Sequence, residues 1–484
     1  MSALLSLRVG ISACLLALGA CTLGPDFQRP ASAPAIASFA TAAAQPGAAV
    51  PSQPVEQALA PSWWKLFQDP VLAELESDAI AANLDLQAAA ARVAQSRAAL
   101  QVSGAALLPR VDAGASYARQ RASAEGTNAL SGATNQHAFS LSQAGFDASW
   151  ELDLWGRARR LQESSAAQLN AARFDAAAVQ VSLTAEVARV YLELRGVQND
   201  LRVARSNSEI AAKSLHVAER RRAQGVATEF DTSVARAQLA SVDAAIPELE
   251  GRADALGNAL ALLLAKPPRA LDAQLASAAE LPGLPARVPV GLPSELARRR
   301  PDILRAEAQL HAATAQIGAA RADFYPRISL GGSVGAQALA FSQLGDWGAR
   351  QFALGPTLHL PVFEGGRLKG NLALTEARQQ EAAIGYQKTV LAAWHEVDNA
   401  LSRYRRVQGR AAQLDVAVLE NRRALGHAER RYAQGAADYL TVLVTQGRLL
   451  DSENAASRGR TDTALAMVAL YKALGGGWEA EAAR

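Results

Sequence analysis

Ala218-Glu219-Arg220-Arg221-Arg222-Ala223-Gln224-Gly225 returns near the end of the chain as Ala428-Glu429-Arg430-Arg431-Tyr432-Ala433-Gln434-Gly435, with one residue changed. Leu107-Leu108-Pro109-Arg110-Val111 is likewise echoed by Phe324-Tyr325-Pro326-Arg327-Ile328, so the chain is a tandem duplication of one unit. Between these marks, Leu154-Trp155-Gly156-Arg157 corresponds to Glu364-Gly365-Gly366-Arg367. Gly156 to Gly225 and Gly366 to Gly435 each span 69 positions (225 minus 156, 435 minus 366), whereas Pro109 to Gly156 spans 47 and Pro326 to Gly366 spans 40. The difference falls wholly before each arm. Arm length is the constrained quantity, and the segment ahead of it tolerates insertion.

Neither arm, Arg157 to Gln224 or Arg367 to Gln434, contains proline, and both are rich in Ala, Leu, Glu, Gln and Arg, which predicts one unbroken helix each. At about 1.5 Å per residue such a helix runs roughly 100 Å. Support along that length is legible as a seam with alternating four- and three-residue spacing: Leu183, Val187, Val190, Leu194, Val197, Leu201, Ala204, Ser208, Ala211, Leu215, Ala218. The second copy keeps this register from Ala393 to Ala428 with smaller residues, which implies close approach between helices. Gly225 and Gly435 stand where a left-handed helix cap is needed, and further helical stretches, Thr228 to Ile246 and Tyr439 to Leu474, follow them. Each arm is expected to turn back on itself.

Ahead of each arm the hydrophobic period changes to two. Phe352, Leu354, Leu358, Leu360 and Val362 alternate with smaller or polar residues, as do Phe146, Ala148, Trp150, Leu152 and Leu154 with Asp147, Ser149, Glu151 and Asp153. Partner strands begin at Val111 and Ile328, joined through loops at Ser123 to Gln136 and Gly335 to Gly348. Two hairpins give four strands, which cannot close a barrel, so several chains must pool them. Asp147, Glu151 and Asp153 are then expected on a wet lumen.

Met1 to Ala20 carries one charge, Arg8, before an apolar run too short to span a bilayer, and reads as a secretory signal. Leu18-Gly19-Ala20-Cys21 resembles a lipobox, which makes Cys21 the lipidation site and first mature residue. The other cysteine, Cys14, lies inside the signal, so the mature chain has no possible internal disulfide. Lys and Arg total 49 against 46 Asp and Glu, net +3 with no basic run, which offers nucleic acid little to bind. Half the residues are apolar, yet no mature stretch reaches the length of a spanning helix, so any spanning part is made of strands.

These residues resemble the TolC-like outer membrane factors of tripartite efflux systems, in the lipoprotein (NodT-type) branch that partners resistance-nodulation-division pumps. The resemblance covers nearly the whole mature chain. It rests on Cys21 to Phe27, on Trp63-Trp64-Lys65-Leu66-Phe67 with Asp69-Pro70, on Arg300-Pro301-Asp302-Ile303, and on Tyr471-Lys472-Ala473-Leu474-Gly475-Gly476-Gly477-Trp478. It implies a mainly α protein with a small transmembrane β part. Each hairpin-plus-long-helix protomer would form one third of a 12-strand β-barrel continuous with a periplasmic α-helical barrel. The organisation expected is a signal peptide over 1–20, a lipidated extended segment over 21–60, a first repeat over 61–282, a second over 283–478 and a tail over 479–484. Strands are expected at about 109–121, 139–154, 326–336 and 350–363, with arms at 157–224 and 367–434.

By the same resemblance the function is a passive homotrimeric exit duct for small toxic molecules or drugs, lipid-anchored in the outer membrane and reaching into the periplasm. The alternatives are a type I protein-secretion duct and a non-conducting coiled-coil lipoprotein. Thr22 rather than Asp after Cys21 agrees with the outer membrane. Partners implied are outer-membrane lipid, a periplasmic adaptor (membrane fusion protein) contacting the Gly225 and Gly435 turns, and an inner-membrane resistance-nodulation-division pump. The periplasmic gate falls on Asp231, Tyr432 and Leu440, while Thr441 and Val444 stand where relatives often carry aspartates. No cofactor is implied beyond diacylglycerol and an N-acyl chain on Cys21, and no metal.

Enzyme chemistry finds little support. Gly331-Gly332-Ser333-Val334-Gly335 fits the nucleophile-elbow pattern, but that turn needs a strand before it and a helix directly after, and here it falls inside a strand-and-loop region. The six His (137, 216, 311, 359, 395, 427) show no ligand spacing, and no phosphate-binding loop is present.

Overall fold

A computed structural model describes residues 22–30, 52–55, 57, 59–121, 123, 137–276, 281–291 and 296–479. Cys21, the signal segment and most of the loop from Ser123 to Gln136 lie outside the described residues. In chain order the main elements are β1 (Gln53–Val55), α1 (Pro70–Ala82), α2 (Leu84–Ala105), β2 (Arg110–Gln120), β3 (Phe139–Leu152), α3 (Arg157–Ala223), α4 (Glu229–Leu263), β4 (Arg287–Pro289), α5 (Pro301–Ala322), β5 (Arg327–Ala338), β6 (Arg350–His359), α6 (Arg367–Ala433) and α7 (Tyr439–Ala473). The duplication is strict in helix length: α3 and α6 are both 67 residues long, and α4 and α7 both 35. One return helix is longer than its sequence suggested, because α4 carries Pro247 inside it and continues to Leu263. Pro247 is exposed, so its ring has room and one backbone hydrogen bond is lost at the surface.

The chain divides into two compact units, one of Met1–Pro30, Val93–Ala172 and Ala306–Tyr386, the other of Ala31–Arg92, Arg173–Arg305 and Gln387–Arg484. The first holds a four-stranded antiparallel sheet in the order β2-β3-β5-β6. Its register assembles two unlike faces. Ala113, Phe146, Val334 and Phe352 lie side by side on one, followed by the row Val111, Ala148, Gly332 and Leu354. On the other face Asp112 sits opposite Asp147, which neighbours Ser333, and Glu151 neighbours Ser329, which in turn neighbours Thr357. The apolar face is bare in the single chain, with Phe352 86% and Leu354 77% exposed. Strand β6 ends at His359, short of the expected Phe363, with Pro361 just beyond it.

Asp153 does not face a lumen. Its carboxylate accepts the backbone N–H groups of Ala158 (3.0 Å) and Arg159 (2.9 Å) and so caps the start of α3. Asp323, at the end of α5, accepts from Arg157 at 2.9 Å and Arg327 at 2.6 Å, tying the end of one hairpin to the beginning of the other. Residues 22–30 are fastened alongside. Leu23 donates its N–H to Trp155 O (3.2 Å), Arg160 binds Leu23 O and Asp26, and Phe27 stacks on His311 with centroids 4.4 Å apart.

The second unit contains the largest apolar core. Trp63 stacks on Tyr471 at 5.1 Å and packs with Leu72, Leu75, Val187, Leu192, Leu260 and Leu470. Buried Arg300 grips Asp302, Glu396 and the carbonyl of Ala473, which pins the end of α7 and accounts for the Arg300-Pro301-Asp302 motif. Seam residues predicted on the arms are inside: Val187, Val190, Leu194, Val197, Ala211 and Ala218 are all buried. Glu76 is also fully buried in this unit, and neither carboxylate oxygen has a hydrogen-bond partner among the described residues. Burial pushes its carboxyl well above the ordinary range.

A group whose folded-state carboxyl titrates high penalises folding above its ordinary pKa of about 4.3 and ceases to do so below it. Glu76→Leu is therefore expected to raise the thermal midpoint by a few degrees at pH about 7. That advantage should shrink as pH falls toward the ordinary glutamate value, as read by thermal unfolding across a pH series.

Candidate functional site

The turns that reverse the arms are built twice by the same hydrogen bonds. After α3, Gly225 adopts φ +73°, Val226 donates to Arg221 O and Gly225 to Arg222 O, both at 2.9 Å. After α6, Gly435 adopts φ +71°, Ala436 donates to Arg431 O (2.8 Å) and Gly435 to Tyr432 O (3.0 Å). This is the Schellman arrangement, and it explains why glycine recurs in the echoed octapeptide. Nothing lies within 4 Å of a Cβ built on either glycine, so backbone conformation alone demands it.

Each return helix then starts with a cap, and the two copies reach it by exchanging residues. In α4 the Thr228 hydroxyl accepts the N–H of Asp231, while the Asp231 carboxylate accepts the Thr228 N–H and hydroxyl at 2.8 Å each. In α7 the acid sits three residues earlier: Asp438 is the cap and accepts the N–H (2.9 Å) and hydroxyl of Thr441. The hydroxyl and N–H of Thr441 hold the Asp438 carboxyl below the ordinary aspartate range. Position 441 is Thr, as the sequence stated, but the second copy does carry a carboxylate on this turn. Asp231 itself is occupied as part of a capping box.

Tyr432 is brought into a cluster. Its ring lies 5.4 Å from that of Tyr439, and the Arg221 guanidinium sits 4.3 Å above it. Beneath are Ala218, Ala235, Leu425, Ala428, Val442 and Leu449. Burial raises the Tyr439 hydroxyl above its ordinary pKa of 10.0. Leu440 stands apart from this cluster with about half its surface free, and so does Phe230, the residue at the same place in the first copy (440 minus 210), which is 64% exposed. The sequence reading missed Phe230, although the repeat offset alone would have found it. Arginines crowd the ends of the arms, Arg220, Arg221 and Arg222 on α3 and Arg430 and Arg431 on α6, where the helix dipole favours positive charge. Arg222 pairs with Glu229 and Arg236 with Glu219, which tie α3 to α4.

Ser333, the one nucleophile suggested by a motif, lies in the middle of β5 with Asp147 and Ala353 beside it, and strand rather than helix continues directly after it. Among the described residues no group of three metal-binding side chains occurs, and no helix is long and apolar enough to cross a membrane.

A family model described as outer membrane efflux protein matches residues 75–266 and 292–476. The chain is 36% identical to the outer membrane protein OprJ of Pseudomonas aeruginosa over 97% of this chain and 96% of that protein. It is also 36% identical to the pyoverdine export outer membrane protein OpmQ of Pseudomonas putida, over 87% and 88% respectively. The solved structure of the outer-membrane channel OprN superposes with a TM-score of 0.87 at 35% identity, covering 95% of this chain and all of that one.

Two glycine substitutions on one arm should have opposite signs. Gly435→Ala forces a left-handed alanine and is expected to destabilise by about 1–2 kcal/mol. Gly426→Ala, inside α6, is expected to stabilise by about 0.5–1 kcal/mol. Paired thermal unfolding curves measure both.

Proposed function

The chain belongs to the outer membrane efflux protein family, and from that premise we propose that three copies form a passive duct through the outer membrane. The duct is the exit component of a tripartite efflux pump for small toxic molecules or drugs. The observation that carries this reading is the sheet β2-β3-β5-β6, open at both edges and apolar on one face. In lipid an open edge leaves N–H and C=O groups unpaired at several kcal/mol each. Pairing β6 of one copy with β2 of the next removes every edge. Three copies of four strands make a closed barrel whose apolar face meets lipid and whose Asp112, Asp147 and Glu151 face water.

Cys21 carries the diacylglycerol and N-acyl chain in this reading. Support comes from the lipobox and from Thr22, which packs against Gly156 where β3 hands over to α3. The turns at Gly225 and Gly435 receive the periplasmic adaptor, and an inner-membrane resistance-nodulation-division pump supplies the energy, since the chain has no nucleotide-binding loop. The resting gate is built from Asp231, Tyr432 and Leu440. Asp231 fixes the first turn of α4, Tyr432 clips the second copy's turn to Arg221 of the first copy's arm, and Leu440 offers an apolar surface to its equivalents in the other copies.

The Tyr432 ring, not its hydroxyl, makes these contacts, so Tyr432→Ala is the change that unseats it. Purified assemblies in planar bilayers should conduct weakly at rest, and Asp231→Ala combined with Tyr432→Ala should raise resting conductance severalfold. Conductance no higher than the parent's would remove the gate from these residues. Assemblies that never conduct in either form contradict the duct.

A further inference from the structure

The apolar face of the sheet has a sharp upper limit, and two arginines mark it. Rows running from Leu152, Ile328 and Leu358 up to Ala113, Phe146, Val334 and Phe352 carry no charge. The next row is Ala115, Ala144, Ala336 and Arg350; above it comes Tyr117 beside Ser142, and then Arg119 beside Ser140. Leu152 to Ala144 on β3 is eight steps, about 27 Å along a strand and roughly 20 Å after barrel tilt, close to the apolar band of an outer-membrane barrel. Arg350 and, four residues further along, Arg119 therefore lie on the apolar side of the sheet just beyond its charge-free rows, at the end of the strands away from the helices. Neither is ion-paired among the described residues: Arg350 lies 3.9 Å over the ring of Trp347, and Arg119 reaches only Ser140 Oγ at 3.5 Å. Asp346, in the β5–β6 loop just before Arg350, bonds through its backbone to Gln343 and Ala349. Trp347, under Arg350, and Phe341, in the same β5–β6 loop, are 80% and 78% exposed.

We infer that Arg119 and Arg350 form a docking surface for the phosphate groups of a phosphorylated glycolipid in the outer leaflet. The inference rests on the barrel reading, in which β6 of one copy adjoins β2 of the next and brings the two arginines to the same seam. A guanidinium fork matches phosphate geometry and stays charged there, while the exposed aromatic rings meet the upper acyl chains. Arg110, on the opposite face and paired with Asp112 at 2.8 Å, has no part in it.

The test uses the full assembly reconstituted in phosphatidylcholine nanodiscs containing either bisphosphorylated or dephosphorylated lipid A, with lipid retained after detergent extraction counted by mass spectrometry. The parent should retain the bisphosphorylated form selectively. Arg119→Gln with Arg350→Gln should lower that retention by roughly fivefold per arginine, about twenty-five-fold in all, and Arg110→Gln should leave it unchanged. Equal retention by the double variant, or equal retention of the dephosphorylated lipid, overturns the inference. Conductance of the same samples separates the two readings: a conducting assembly without phosphate preference removes only the lipid surface, whereas one that neither inserts nor conducts removes the duct and the lipid surface with it.

Discussion

Strands β2 and β6 have no further strand paired along their outer edges among the described residues, and the pairing their backbone groups require governs the rest of the architecture. A sheet with one apolar face has two stable resting places, a soluble core or lipid, and here no second layer of the protein covers Phe352, Leu354 or Val334. Lipid then forbids open edges, and closure needs further copies. The seven-residue difference between the repeats falls in the hairpins, where a loop end can grow without disturbing the pairing. Where the strands end, Asp153 and Asp323 fix the handover to helix through short bonds to backbone and arginine.

Below that handover the constraint becomes one of length. The arms are 67 residues each and their return helices 35, and the turns between them use the same pair of hydrogen bonds twice. Drift by one residue in either arm would rotate its seam by about 100° against the neighbours, because an α-helix turns once in 3.6 residues. The cap is constrained in geometry but free in residue order. Thr228 with Asp231 and Asp438 with Thr441 place one carboxylate and one hydroxyl on the same turn in opposite order. Either order satisfies the first turn of its helix.

Much of this was legible in the sequence because the determining signals are local. Gly225 and Gly435 declare a left-handed φ, the absence of proline declares the arms, and the change of period from 3.5 to 2 declares the strands. The unread features depend on pairing across distance. Asp153 has the right spacing for a lumen residue, and only its bonds five and six positions on show it to be a cap. The clasp of residues 22–30 on Arg160 and His311 joins segments over 130 positions apart, with no periodic signal to reveal it. The position of Tyr432 was legible, but its hold on Arg221 was not, because the echoed octapeptide places Arg222 where the second copy has Tyr432, and the contact forms between copies rather than within one.

Closure of the β2 and β6 edges by further copies is the claim on which the duct, its lumen and its lipid face all depend. It is tested most directly by native mass spectrometry of the detergent-extracted protein, which counts chains per particle. The account predicts three chains, released as single chains only when the detergent micelle and the fold are lost together. A particle of one chain or two, stable in detergent and with its strands intact, would leave edges open and contradict it.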